Sequence, residues 1–452
     1  MNDYENYMKD LFKFSPEERF VFGKRDKECL SHIDNYLSDK YVANKMMIIE
    51  RYENTKDLEL ELLLKLERFG IENHLNYFLF SSYINFINDF EDDNETLYPK
   101  NVVYKRSREA DFDELVRTSI IKAKEGLKMN MTYPKMIIKK FLDQISKNSK
   151  WRFLFNFIKK HYYPKCRNEI GLCYVKNGKE IYKMLIKEHT GFLEITPEEI
   201  HQLGLNLIKK KKIVIKDIYT SREEMYKDCC DYAQYIYNEV IDKYFHYKPK
   251  KSFKIYKVSD KDEKNAPLGY FKPLEDKVFI NLSFYNEISK NEVHSLIMHE
   301  YFHAYHFNFM KHHKLPKYKY YKYFNTSLVE GFAFYMETYC EDYNDDNMMS
   351  LMRKLRLVVD TGINYYGWTY KKAFEYMRGY MPNKINDIKN EIDRYICNPA
   401  QAISYMIGKL HIIKLRDEFI DKGGNIKDFH HKLLMEGIAT FMTIEKMIAN
   451  IS

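Results

Sequence analysis

The chain contains little glycine and proline, with 16 Gly and 11 Pro among 452 residues. So few turn-forming residues exclude an all-β protein built from many tight turns. Hydrophobic residues make up 45% of the chain, which excludes wholesale disorder. The length therefore suits a large two-lobed domain or two to three smaller domains.

Long apolar runs and paired cysteines are also missing. No stretch of about 18 apolar residues occurs, so the sequence predicts no membrane-spanning helix and no membrane partner. The first residues alternate charged and aromatic side chains and lack the apolar core of a signal peptide. The seven cysteines are odd in number and none is spaced as Cys-x-x-Cys, which indicates a reducing compartment. We therefore expect a cytoplasmic protein.

The charge balance is only mildly basic. Lys and Arg number 73 against 65 Asp and Glu, which gives a formal net charge of +8. The lysine-rich runs are short and separate, a pattern typical of solvated surface rather than of a nucleic-acid-binding face. The sequence therefore predicts no nucleic-acid partner.

Apolar residues recur at three- and four-residue steps through most of the chain, which predicts a mainly helical protein. An acidic stretch at 89–95 has the composition of a linker. It divides an N-terminal helical region, residues 1–100, from a second helical region, residues 101–452, which carries the candidate catalytic residues described below. We expect the second region to form one continuous two-lobed domain.

Two short segments have the composition of β-strands. Residues 252–258 and 277–283 are rich in Val, Ile and Phe, and the segment between them carries two prolines typical of a loop. Ser289 and Glu292 follow with the spacing of a capping box, which predicts a helix from about 290 to 312.

That predicted helix carries the sequence His299-Glu300-Tyr301-Phe302-His303. Residues four apart share one face of a helix, so both imidazoles can bind the same metal ion. Glu300 lies beside them and can act as the base for a water molecule that zinc has acidified. The motif predicts one zinc ion per chain, with His299 and His303 as ligands.

A catalytic zinc site needs a third protein ligand and one open position. Glu330 and Glu337 lie on the next predicted helix, seven residues and hence two turns apart. Either carboxylate can be the ligand or can support a ligand histidine from behind. We favour Glu330 as the ligand, because its neighbours are apolar and a buried carboxylate needs a partner. Glu337 can then accept a hydrogen bond from a ligand histidine, or serve only as a partner for a surface lysine.

HEYFH followed by VEGFAFYMET resembles the gluzincin-like proteins of domain-of-unknown-function family 885. Four further segments are similar to that family, at 124–145, 188–205, 355–377 and 391–419. The resemblance implies a mostly helical fold akin to the carboxypeptidase Taq and thimet-oligopeptidase group, together with zinc metallopeptidase activity. We therefore expect a large two-lobed zincin fold, mainly α, with a small antiparallel β element next to the active-site helix.

The resemblance also implies roles for particular residues. Tyr405 stands at the family's tyrosine position, where its phenol would donate to the developing oxyanion. Asn364 stands where the family usually has histidine. Asparagine can still donate a hydrogen bond at this position but cannot carry a positive charge. Family members commonly have Pro-Gly before the second histidine of the motif. Its absence here favours His303 as the ligand, with His306 in reserve.

Two further residues are candidates by their charge alone. Arg394 can bind the C-terminal carboxylate of a substrate, or it can form a structural ion pair with a neighbouring aspartate. Asp360 can orient a ligand histidine from outside the metal site. Both residues follow the metal motif in the helical C-terminal part of the chain.

Together these patterns predict a zinc-dependent metallopeptidase that hydrolyses short peptides. Exopeptidase action from the C-terminus is slightly favoured, by analogy with related folds alone. Two alternatives stay open. One is a metal-dependent amidase that processes a modified peptide, and the other is a non-catalytic helical binding scaffold.

Overall fold

The computed structural model describes residues 3–15, 34–79, 109–146, 152–208, 217–264, 266–273, 275–316, 319–320, 325–341, 343 and 347–449. Within these residues the chain is mainly helical and contains one small sheet, as predicted. The boundary predicted at residue 100 lies outside the described residues.

The helices follow one another along the whole described chain. In chain order they are α1 (Asp3–Phe14), α2 (Asp39–Arg51), α3 (Leu58–Glu72), α4 (Glu109–Lys128), α5 (Lys135–Ile145), α6 (Arg152–Phe157), α7 (Gly178–Thr190), α8 (Pro197–Leu207), α9 (Arg222–Tyr235), α10 (Ile241–Tyr244), α11 (Lys290–His312), α12 (Thr326–Met336), α13 (Met348–Asn364), α14 (Tyr370–Arg378), α15 (Ile385–Cys397), α16 (Ser404–Asp421), α17 (Ile426–Met435) and α18 (Phe441–Ala449). One-turn π-helical segments, Ile158–Tyr162 and Ile236–Val240, continue α6 and α9.

The chain forms two compact units, each assembled from stretches that are separate in sequence. Unit 1 comprises Met1–Lys187, Ile195–Gln202 and Val358–Ala402. Unit 2 comprises Glu188–Glu194, Leu203–Leu357 and Ile403–Ser452. Unit 2 contains the sheet and the helix that carries the HEYFH motif, so the candidate metal centre is described within that unit.

The starts of several helices follow from their capping residues. Asp57 accepts a hydrogen bond from the backbone N–H of Leu60 at 3.1 Å and begins α3. Before α8, Thr196 and Glu199 each accept a hydrogen bond from the other's backbone N–H, which forms a capping box. These side chains satisfy backbone donors that have no partner in the first turn of a helix.

The sheet has three strands, β1 (Ile255–Lys257), β2 (Gly269–Lys272) and β3 (Lys277–Ile280), in the order β1-β3-β2. β2 runs antiparallel to β3, whereas β1 runs parallel to β3. The predicted purely antiparallel element is therefore a mixed sheet.

The difference arises from β2, which lies in the segment that its two prolines suggested to be a loop. Pro267 and Pro273 flank the strand and do not occupy it, so neither removes a hydrogen bond from the ladder. β2 and β3 form a hairpin. β1 consequently takes the other side of β3, in the parallel direction.

The core of unit 2 packs around α11. Apolar side chains from α9, α12, α16, α17, α18 and the sheet form one continuous cluster with those of α11. α11 is buried on nearly every face, as expected for a helix enclosed by other elements. β2 lies directly against it, because a Cβ at Gly269 would be 2.9 Å from the side chain of Leu296. The β element therefore lies next to the motif helix, as predicted.

Two further findings concern membrane-spanning helices and cysteines. None of the described helices combines the length and the apolar character that crossing a membrane requires. Six cysteines lie in the described part of the chain, and all six are free thiols. They are Cys166, Cys173, Cys229, Cys230, Cys340 and Cys397.

Candidate metal centre

His299 and His303 project from the same side of α11, one turn apart. The ring centres lie 4.7 Å apart and the ring planes are nearly perpendicular, at 85°. The capping box of Ser289 and Glu292 fixes the start of this helix, as predicted. The side chain of His299 is 5% exposed and that of His303 is 11% exposed. The pair is therefore mostly enclosed and reaches solvent on the His303 side.

Glu330 is placed by the way α12 begins and packs. The Asn325 side chain caps α12 by accepting from the N–H of Leu328 at 2.9 Å. α12 also approaches α16 very closely, because a Cβ at Gly331 would lie 2.5 Å from the Cα of Gly408. Larger side chains at either glycine would push the helices apart and move Glu330 away from α11.

Glu330 faces both histidines of the motif. Its Oε2 lies 3.2 Å from Nε2 of His299 and 3.4 Å from Nε2 of His303. Ligands bound at 2.0–2.2 Å to a tetrahedral zinc ion lie about 3.4 Å from one another. The two distances to Glu330 match this spacing, and all three donor atoms lie within 4.8 Å of one another, so two imidazoles and one carboxylate of the types that bind zinc converge here.

Glu337 lies behind His299, on the side away from Glu330. Nδ1 of His299 donates to Oε1 of Glu337 at 2.8 Å, and the other carboxylate oxygen accepts from Arg353 at 2.9 Å. A metal-binding histidine commonly donates its second N–H to a carboxylate in this way. Of the two candidate carboxylates, the structure thus places Glu330 at the donor triad and Glu337 at its support.

The charges of these groups favour a cation at the centre. Burial alone would lower the pKa of His299, but the hydrogen bonds that Glu330 and Glu337 accept from the ring outweigh burial and raise that pKa to about 9. Burial likewise raises the pKa of Glu330, yet the neighbouring His303 and His299 bring it well below its usual range. Glu330 is therefore ionised. Glu330 and Glu337 together stabilise positive charge at His299.

Glu300 lies between the two histidines in sequence and is buried. Burial raises the pKa of its carboxyl above the usual range, while the charges of His299 and His303 oppose that shift. The backbone N–H of Phe271, on β2, is a hydrogen-bond partner of this carboxylate. Glu300 thus combines a raised proton affinity with a fixed position beside the donor triad.

Tyr405 lies on α16 next to the first histidine. Its ring centre is 6.3 Å from that of His299, and the two rings are nearly parallel, at 14°. The guanidinium carbon of Arg356 lies 4.8 Å from the centre of the Tyr405 ring. The predicted oxyanion donor and a buried cation therefore lie together beside the candidate metal centre.

Asp360 and Asn364 belong to unit 1, where both have partners. Asp360 accepts from the hydroxyl of Tyr182 at 2.5 Å and from the backbone N–H of Ala400. Asn364 accepts from the N–H of Leu172 at 3.1 Å and donates to a backbone carbonyl at 2.9 Å. The histidine-orienting contact proposed for Asp360 is made to His299 by a glutamate of unit 2. The functional roles of Asp360 and Asn364 stay predictions.

Arg394 also lies in unit 1. Its guanidinium donates to the side chain of Gln401 and to Glu391, the latter at 3.3 Å. These contacts match the structural alternative weighed for it more closely than the substrate-binding role, although the ion pair is with a glutamate. The role in substrate binding stays a prediction.

His306, the reserve ligand, is buried away from the triad. Its ring hydrogen-bonds the backbone carbonyl of Gly437 and lies 5.8 Å from the ring of Phe332. Burial lowers its pKa to about 3, so the ring is neutral. Its position is that of a packing residue in the core of unit 2.

The sequence did not single out Arg353 and Arg356, which contact Glu337 and Tyr405. A signal was present, because the two arginines are three residues apart on α13 and lie among apolar residues. Cations on a helix face of that kind are expected to be buried and therefore partnered. Their partners lie directly after α12 and on α16, which spacing along one helix does not reveal.

Comparison with known structures supports the fold. A crystal structure described as "the putative lipoprotein from Colwellia psychrerythraea" matches 99% of this chain and 97% of its own, with a TM-score of 0.72 and 19% identity. A "putative lipoprotein of unknown function from Shewanella oneidensis" matches 99% of this chain and 98% of its own, with a TM-score of 0.59 and 13% identity. At these identities the likeness concerns the fold alone.

Comparison of sequences identifies the family. No curated protein matches the chain. Residues 148–448, about two thirds of the chain, match the model of the family described as "Bacterial protein of unknown function (DUF885)". The segments whose resemblance was noted from 188 onward fall within this match. The chain therefore belongs to the DUF885 family.

Proposed function

We propose that the chain is a zinc-dependent metallopeptidase that hydrolyses short peptides. One observation carries the proposal: Nε2 of His299 and Nε2 of His303 converge on Oε2 of Glu330, with Glu300 adjacent to both histidines. Three protein ligands of these types leave one position open, as catalytic zinc sites require. The gluzincin assignment rests on this geometry and on the family resemblance of the motif.

The chain's own residues supply the remaining chemistry. Zinc would act as a Lewis acid and lower the pKa of a bound water molecule to about 7. Glu300 takes a proton from the attacking water and passes it to the leaving amine as the C–N bond breaks and the new C–O bond forms. Its buried position raises its proton affinity, which suits that transfer. Glu337 keeps Nδ1 of His299 protonated, so Nε2 stays available as a ligand.

The oxyanion that develops on the substrate carbonyl needs a hydrogen-bond donor. Tyr405 is the candidate, since its ring lies beside His299. The resemblance also makes Asn364 a candidate donor to the oxyanion. Its position in unit 1 gives no evidence for or against that role.

β2 offers a place for an extended peptide. One side of this strand pairs with β3, and the N–H of Phe271 is directed to Glu300 instead. An extended peptide that adds to a free strand edge gains backbone hydrogen bonds. A substrate paired with this side of β2 would pass directly by Glu300.

Hydrolysis of a defined peptide mixture tests the proposal. The zinc-loaded protein is incubated with a library of short peptides, and the products are identified by mass spectrometry. We expect cleavage that a chelator stops and that added zinc restores. Glu300→Gln should retain zinc and lose several orders of magnitude in turnover, because the base is not needed to hold the ion.

Two results would contradict the proposal. If the zinc-loaded protein cleaves no peptide in the library, the binding-scaffold alternative takes its place. If Glu300→Gln keeps turnover near that of the unchanged protein, any hydrolysis proceeds by a different chemistry.

We also propose that the chain works in the cytoplasm, on the basis of its free thiols. The lipoprotein description of its structural neighbours offers a membrane-attached form as the alternative. Fractionation of the producing cells, with detection of the chain in the soluble and membrane fractions, decides between the two.

A further inference from the structure

A small group of apolar side chains adjoins the candidate metal centre in unit 2. Its buried members are Phe307, Met310 and Ile438. Phe271 and Val329 pack against them and keep part of their surface exposed. We call these five residues the apolar cluster. It is distinct from the larger core around α11, so its position beside the candidate metal centre requires its own explanation.

Two members of the apolar cluster are placed by the helices that carry the proposed metal ligands. Phe307 lies one turn after His303, and residues four apart share one face of a helix. Val329 directly precedes Glu330 on α12. His303 is more exposed than His299, so the candidate metal centre reaches solvent on its side. The apolar cluster therefore lies on the side from which a substrate can approach.

Phe271 connects the apolar cluster to the proposed catalytic base. Its backbone N–H is a hydrogen-bond partner of the Glu300 carboxylate, and its ring centre lies 5.6 Å from that of Phe307. Residues opposite each other on paired strands share one face of a sheet, and the partner of Phe271, Val278, is buried. The Phe271 side chain thus lies on the face that meets α11. A peptide bond held beside Glu300 would have this ring as a neighbour.

The chemistry of the apolar cluster favours one kind of substrate side chain. Ligand sites are lined mainly by apolar and aromatic side chains, while a few polar groups fix the orientation of the ligand. An apolar side chain placed against Phe271 and Phe307 would lose contact with water, which is favourable. A charged side chain in the same place would lose its hydration, which is costly without a partner.

We propose that Phe271, Phe307 and Val329 line a subsite for one side chain of the substrate, so that the enzyme prefers peptides with a large apolar residue beside the cleaved bond. The inference rests on the proposed peptidase function and adds a side-chain preference to it. The occupant is a side chain of the size of leucine or phenylalanine.

Binding to the zinc-loaded Glu300→Gln variant tests the inference without requiring turnover. The probes are five-residue alanine peptides in which a single phenylalanine is placed at each position in turn, with a matching set that carries glutamine instead. Titration calorimetry measures the Kd of each peptide. We expect phenylalanine at one position to tighten binding at least tenfold over alanine, and glutamine at that position to give no such gain.

Two variants in the same background locate the subsite. Phe271→Ala removes one wall and Val329→Phe fills the space, so each should abolish most of the gain from phenylalanine. Val329→Phe removes no packing, so it decides if Phe271→Ala does not fold. Zinc content and circular dichroism show that the metal site and the fold are preserved.

Phe279→Ala is the matched control, because it removes the same side chain from the other face of the same sheet. There the Phe279 ring stacks on Tyr270 with 5.2 Å between the ring centres. The control should leave the gain from phenylalanine intact.

Equal affinity for the alanine, glutamine and phenylalanine peptides would overturn the inference. A gain that survives Val329→Phe, or one that is lost with Phe279→Ala, would overturn it as well. These results are distinct from failure of the proposed function. A chain that binds the phenylalanine peptide more tightly but hydrolyses nothing would retain the subsite for peptide binding and lose the peptidase assignment.

Discussion

Glu337 accepts a hydrogen bond from Nδ1 of His299 at 2.8 Å, while Nε2 of the same ring faces Glu330 at 3.2 Å. The imidazole is therefore held between two carboxylates, one at each nitrogen: Glu330 lies on α12 and Glu337 directly follows that helix. Arg353 anchors the rear carboxylate at 2.9 Å, which prevents Glu337 from approaching a metal ion itself. Because the two glutamates have different positions, we expect their replacement by neutral residues to weaken zinc binding to different extents.

Replacing Glu330 and Glu337 by glutamine, one at a time, distinguishes the metal ligand from the residue that orients a ligand histidine. Glu330→Gln should weaken zinc binding sharply, because it removes one of three protein ligands. Glu337→Gln should weaken it by about 10- to 100-fold, the range typical of groups that orient a ligand. Competition titrations with a zinc chelator measure both affinities. The opposite order would move the third ligand to Glu337.

His303 and His306 are neighbours on α11 with different surroundings. His303→Ala should remove most of the bound zinc, since its Nε2 lies 3.4 Å from Glu330. His306→Ala should retain the zinc and lower only the thermal midpoint, because it removes a buried ring from the core. Elemental analysis of the two purified proteins gives the zinc content per chain. Loss of zinc from the His306 variant alone would refute the ligand assignment.

Tyr405 is expected to act on the rate and not on metal binding. Tyr405→Phe keeps the ring beside His299 and removes the hydroxyl. Loss of one oxyanion donor typically lowers kcat about 10²- to 10³-fold. Tyr301→Phe, within the same motif helix, is the control and should leave kcat unchanged. Steady-state kinetics with zinc content measured in parallel test the role, and an unchanged kcat in Tyr405→Phe would exclude it.

His430 makes the stability of unit 2 depend on pH. The ring is buried; Nδ1 donates to the carbonyl of Tyr244 and Nε2 accepts from the hydroxyl of Tyr335, both at 2.9 Å. Burial lowers its pKa from 6.5 to about 4. Between pH 6.5 and about pH 4, His430 is protonated in the unfolded chain and neutral in the folded chain. The free energy of unfolding is therefore retained above pH 6.5 and falls as the pH drops towards 4.

The expected loss from this group is about 2 kcal/mol between pH 7 and pH 5. Denaturant unfolding at both pH values measures it. His430→Gln should show a smaller difference between the two, whatever its absolute stability. His161→Gln, at an exposed histidine, should show the same difference as the unchanged protein. An unchanged difference in His430→Gln would contradict this account.

Local sequence rules were enough to predict the centre of the site. Helical spacing alone places His299 and His303 on one face, and the apolar neighbours of Glu330 indicate that it is enclosed. The capping residues likewise fixed the start of the helix that carries the motif. These features depend on contacts within a few residues along the chain.

The remaining features depend on contacts between distant segments. Arg353 and Arg356 on α13 contact Glu337 after α12 and Tyr405 on α16, and the prolines at the ends of β2 predict a loop where the chain forms a strand. The close approach that positions Glu330 depends on Gly331 and Gly408, which are far apart in sequence. Such pairings follow from tertiary packing and carry no periodic signal.

Anomalous scattering at the zinc absorption edge, from crystals grown with zinc, tests the central claim most directly. We predict one peak per chain at about 2.0–2.2 Å from Nε2 of His299, Nε2 of His303 and the carboxylate of Glu330. A zinc ion bound elsewhere, or the absence of a peak between these three side chains, would contradict the account.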